Sequence, residues 1–103
     1  MSVMLEFSIF PTDKGESVSE YVSKVIKMVD ESGHSYKLNP MGTVVETNNM
    51  SESLSLLDKA YALLEPDCNR VYATAKFDIR KTKTNMMEGK INSIQNRIGD
   101  VKI

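Results

Sequence analysis

Two segments of this chain alternate apolar and polar residues with a period of two, one near each end. In VMLEFSIF, Val3, Leu5, Phe7 and Ile9 fall on one side, and Met4, Glu6, Ser8 and Phe10 on the other. In RVYATAKFDIR, Val71, Ala73, Ala75, Phe77 and Ile79 oppose Tyr72, Thr74, Lys76, Asp78 and Arg80. Such alternation marks a strand with one face in a core and the other outside it. Between the two lie stripes at helical spacing. Pro11 and Gly15 mark a loop, and SVSE (Ser17 to Glu20) has the form of a capping box, in which a serine oxygen and a glutamate satisfy free amides at a helix start. Val18, Tyr21, Val22, Val25 and Val29 then form one apolar stripe, and Gly33 stands where a helix would end in a left-handed residue.

Two short strands, Ser35 to Asn39 and Gly42 to Asn48, are expected around a turn at Pro40-Met41. A second helix carries Leu54, Leu57, Tyr61 and Leu64 and is stopped by Pro66. A last helix is expected from about Asn85 to Arg97, with Met87, Ile91, Ile94 and Ile98 in line. Gly89 inside it costs roughly 1 kcal/mol against alanine. The order β-α-β-β-α-β plus a terminal helix is the split βαβ plan of ferredoxin-like α+β domains. At 103 residues the whole chain, 1–103, is expected to form one such domain. The plan has a four-stranded antiparallel sheet of order 4-1-3-2 with both main helices on one face. Met4, Ser8, Phe10, Tyr72 and Thr74 then share the opposite face with charged residues. That face is too apolar to suit water alone, so packing against the sheet of a second copy is expected.

Composition removes several classes of function. A net charge of −1, with thirteen basic residues dispersed along the chain, gives no patch for a phosphate backbone. No apolar run approaches the roughly 20 residues of a membrane span. The first residues carry no basic leader, and a single cysteine, Cys68, excludes an intrachain disulfide, so a cytoplasmic location is expected. His34 has no second ligand at metal-binding spacing, and Cys68 has no CxxC partner. No serine sits in a GxSxG elbow, and no glycine pattern cradles phosphate. The strand motif of RNA-recognition domains on this plan is missing. No catalytic residue and no metal or cofactor site emerges.

The conspicuous residue is Glu46, at the end of the otherwise uncharged run Gly42 to Val45. Thr43, Val45 and Thr47 point one way and Val44, Glu46 and Asn48 the other, and the pattern leaves open which set faces the helices. Glu46 either ends the strand in a pairing with Lys76 or solvent, or projects into a pocket near Ser8. A carboxylate in such a pocket needs a charged or hydrogen-bonding partner.

Three motifs, in order, carry a family resemblance that spans essentially the whole chain. SIFPTDKGESVSEYV resembles the opening of a family of small thiamine-binding proteins with a ferredoxin-like fold. YKLNPMGTVVET resembles that family's most distinctive motif, an aromatic residue before Pro-Met-Gly-Thr and a glutamate shortly after. RVYATAKFDIR resembles its last strand, and GKINSIQ fits its closing helix. Thr47 departs from the glycine expected after the glutamate, which bears on the shape of the pocket. The resemblance implies non-catalytic binding of thiamine or its hydroxymethylpyrimidine portion by a homo-oligomer, a tetramer by the family's habit. By motif position and residue type, Ser8, Phe10, Tyr36, Met41, Gly42, Thr43 and Glu46 are the ligand-binding candidates. The carboxylate would accept from the ligand's amine, and aromatic rings would meet the cationic thiazolium. Met41, flexible and polarizable, suits a pocket wall.

Two alternatives share the fold. One is an oligomeric regulatory or scaffolding module for another small metabolite, such as an amino acid. The other is an acylphosphatase-like hydrolase, which would need an arginine in the first loop, where PTDKGES offers only Lys14. Fold alone separates none of them.

Overall fold

The computed structural model describes residues 1–103. Its elements are β1 (Ser2–Pro11), α1 (Ser19–Glu31), β2 (Ser35–Asn39), β3 (Gly42–Thr47), α2 (Met50–Leu64), β4 (Val71–Arg80) and α3 (Met86–Ile98). The strands form one antiparallel sheet of order β2-β3-β1-β4, the ferredoxin-like arrangement expected from the element order. Register places Met4 opposite both Glu46 and Asp78, and Phe7 opposite Thr43 and Ala75.

The two-residue period of β1 translates directly into packing. Val3, Leu5, Phe7 and Ile9 are buried beneath α1 and α2 with Val25, Val29, Val45, Leu56, Ala60 and Leu64, whereas Met4, Glu6, Ser8 and Phe10 are only half-buried. The same period settles β3: Thr43, Val45 and Thr47 face the helices, and Glu46 lies on the opposite face. Gly33 takes φ +83° just past α1, as a left-handed helix end requires. Cys68 joins the core after α2 as a free thiol.

Local patterns failed in four places. The capping box does not form: Val18 occupies the N-cap of α1 with no side-chain bond, and Ser17 is exposed. α2 turns a different stripe inward, Ser53, Leu56, Ala60 and Leu64, leaving Leu54 and Tyr61 exposed. Leucines surround this helix, so close approach decides the face. Ser53 and Ala60, both fully buried, let the backbone come near the sheet, and the Ser53 hydroxyl meets Thr47 Oγ1 at 2.7 Å. Along β4, Ala73, Ala75 and Ile79 stay exposed, because α1 and α2 lie mainly over β1, β2 and β3.

The fourth concerns α3, which buries only Met87 and leaves Ile94 and Ile98 exposed. This helix crosses the face away from α1 and α2, at the end holding Ser2, Met4, Glu46 and Asp78. Lys90 of α3 pairs there with Asp78. The face expected to pack against a second copy is therefore left uncovered by α3 at its Ser8, Phe10, Tyr72 and Thr74 end.

Candidate functional site

β1 is longer than its neighbour. Its pairing with β3 stops at Phe7, while its pairing with β4 continues to Pro11. The overhanging end of β1, the first turns of α1 and the Asn39–Gly42 turn enclose a groove of about 880 Å³, within the range of small-molecule sites. Val18 at the N-cap of α1, with Val22, Val25 and Ile26 of the helix, supplies one wall, and Leu38, Pro40 and Met41 another. None of its sixteen lining residues is charged.

Five of the seven sequence candidates meet here: Ser8, Phe10, Met41, Gly42 and Thr43. Gly42 has a packing reason to be glycine. A Cβ at that position would lie 3.2 Å from the Phe7 carbonyl oxygen and 3.7 Å from Glu6 Cγ. Met41 is 90% exposed at the rim. Phe10 stacks at a tilt on Tyr72, with ring centroids 5.8 Å apart. The sequence reading missed the helical wall. Val18, Val22 and Val25 were legible as members of the α1 stripe and Ile26 as its neighbour, but no local signal distinguishes lining a groove from filling a core.

Tyr36 lies apart from this groove. Its ring packs against the core, and its hydroxyl donates to Asp30 Oδ1 at 2.6 Å, a bond that raises its pKa. Glu46 lies apart as well. It is four residues along β3 from Gly42, roughly 13 Å at strand rise, and faces Met4 rather than Ser8. Nor does it pair with Lys76, which bridges to Glu6 at 3.0 Å. Its carboxylate instead accepts from the Ser2 hydroxyl at 2.5 Å and from the first α3 amides, Met86 at 2.8 Å and Met87 at 3.0 Å. Burial pushes this carboxyl's pKa up, but the three donors outweigh it and the net shift is downward. Glu46 holds the N-terminus of α3, where a negative charge is favoured. The absence of glycine at position 47 does not alter the groove. Thr47 faces α2 and donates to the Asn49 carbonyl at 2.9 Å.

A ferredoxin-like sheet with an uncharged groove between β1, α1 and the β2–β3 turn defines a small-ligand-binding class of domain. The chain belongs to the thiamine-binding protein family, whose sequence profile matches residues 5–95. A UPF0045 protein of Methanocaldococcus jannaschii is 38% identical over 92 residues, covering 89% of this chain and 91% of that protein. Its crystal structure matches with a TM-score of 0.81 over 90% of this chain and 95% of that one. A UPF0045 protein of Mycobacterium bovis is 32% identical over 95 residues, covering 92% and 93%. A Thermotoga maritima structure, provisionally assigned to thiamine biosynthesis or salvage, shares the fold. Its TM-score is 0.79 at 18% identity, over 91% of this chain and 99% of that one.

Proposed function

We propose that this protein binds thiamine or its hydroxymethylpyrimidine portion, without catalysis, in the groove beside Ser8, Phe10, Met41, Gly42 and Thr43. The observation that carries this reading is the convergence of those five motif residues on one uncharged groove, in a chain of the thiamine-binding family. Neutral walls suit the pyrimidine, whose burial requires no counter-ion. The cationic thiazolium belongs at the mouth, where Phe10 offers an aromatic face. Calorimetric titration with thiamine and with the hydroxymethylpyrimidine tests the reading. Saturable binding of either at one site per chain supports it, and binding of neither refutes it.

The working form is a homo-oligomer, a tetramer on the family resemblance, in the cytoplasm. Tyr72, 55% exposed and in contact with Phe10 on the face away from α1 and α2, supplies apolar surface for a second copy. Light scattering at micromolar concentration should give a mass well above 11.6 kDa, and a concentration-independent monomer contradicts this part. No helix is long and apolar enough to cross a membrane.

A second reading, a regulatory module for a different small metabolite, draws on one observation: with Glu46 engaged by α3, the groove holds no carboxylate for the thiazolium. An amino acid fits poorly, since both of its charges would be unpaired. A thermal-shift panel of neutral heterocycles and amino acids alongside thiamine discriminates the two.

A further inference from the structure

Ser8 to Pro11 of β1 run past the end of β3, and among them Ile9 alone turns both its N–H and its C=O toward the missing strand. In the β1–β3 register, the position opposite Ile9 would be Met41, the next hydrogen-bonding step after Phe7 and Thr43. Met41 lies in the turn instead, and it makes no backbone hydrogen bond to Ile9. The direction of Ile9's polar groups follows from strand alternation. Thr12 N–H donates to the Arg70 carbonyl at 2.9 Å, so Thr12 turns toward the β4 side, and Phe10 and Ser8 turn with it. Ile9 turns the other way. The Phe7 carbonyl, of the same parity, agrees, since it sits 3.2 Å from the Cβ position of Gly42 in β3. The N–H and C=O of Ile9 therefore point side by side from the unpaired edge of β1, and Ile9 lines the groove.

We propose that this main-chain pair reads the edge of the ligand, accepting from an exocyclic amine through the Ile9 carbonyl and donating to an adjacent ring nitrogen from the Ile9 amide. The inference rests on the groove being the ligand site and assigns the atoms of this chain that would read an amino-substituted diazine ring. A donor and an acceptor held parallel match such a ring in two bonds at once. An unpaired backbone pair beside apolar walls is costly until something satisfies it. A further strand is a poor occupant. Pro11, the next residue of the same parity, has no N–H to give, and the free edge is short. A phosphate or a carboxylate is equally poor, since no lysine or arginine lines the groove.

The test uses the 103-residue chain, 15N-labelled, titrated with 4-amino-5-hydroxymethyl-2-methylpyrimidine and with 5-hydroxymethyl-2,4-dimethylpyrimidine, in which a methyl replaces the amine and the ring edge keeps no donor. With the amino compound, the Ile9 amide should move strongly downfield as it gains an acceptor, and the dimethyl compound should bind about 10- to 100-fold more weakly. If Val22 and Ile26 respond to the amino compound while the Ile9 amide stays still, or if both compounds bind equally, the main-chain reading is overturned and the groove remains the ligand site. If neither compound perturbs the groove, the ligand reading falls with it.

Discussion

In Glu46→Ala, the amides of Met86 and Met87 and the hydroxyl of Ser2 lose their common acceptor. Losing a helix cap costs about 0.5–2 kcal/mol, and bonds to a charged group are worth about 1.5–3 kcal/mol each when buried. The site is half-buried, so water recovers part of this, and about 2 kcal/mol is the expected loss. Little else retains α3. It fully buries only Met87, Met86 and Ile91 are half-buried, and its one ion pair to the sheet, Lys90 with Asp78, is exposed. A helix of thirteen residues is marginal once detached. The loss should therefore be local. Hydrogen exchange across α3 should quicken about 30-fold, with Leu5 and Phe7 amides in β1 unchanged. Glu46→Gln, which keeps one acceptor oxygen, should fall between. Thiamine affinity should stay within about twofold, since the groove lies roughly 13 Å away along β3. Unchanged exchange in α3 would refute the capping argument. A tenfold loss of affinity in Glu46→Gln with α3 intact would return Glu46 to the ligand.

Acid should release the same helix. The Glu46 pKa is lowered in the folded state, so its stabilisation is fully present above the unfolded carboxyl's pKa of about 4.3 and lost as pH falls through the lower folded value. Asp78, lowered chiefly by its bond from Lys90, acts in the same direction; α3 amides that remain protected as pH falls through that range would contradict both. Ala60→Leu should overpack the α2–sheet contact and cost about 1–3 kcal/mol, whereas Leu54→Ala should change stability by less than about 0.5 kcal/mol; thermal melts decide, and the reverse order would restore the leucine stripe as the core face. Gly42→Val should crowd the Phe7 carbonyl and weaken pyrimidine binding about tenfold or more while the fold persists by circular dichroism; undiminished affinity would place the ligand elsewhere.

The facing of β1 and the presence of the two main helices were legible in the sequence because each rests on a local period, and the strand order followed from the split βαβ plan that the element order implies. A residue's neighbours two or four positions away share its face whatever the rest of the chain does. The turn at Pro40-Met41 was legible from its proline, but the close packing of Gly42 against the Phe7 carbonyl came only with the structure. Long-range contact decided the rest. Leucines circle α2, so only the fit of Ser53 and Ala60 against the sheet selects its inward face. The alternation of β4 marks which residues share a side, yet whether that side is covered depends on where α1 and α2 settle. Glu46 drew attention as a charge in a neutral strand, but its partners, Ser2, Met86 and Met87, lie forty or more residues away. The unpaired amide of Ile9 left no mark on the sequence at all. It arises because β3 begins at Gly42, opposite the middle of β1, and an offset between two strands is a property of their pairing that neither strand carries alone.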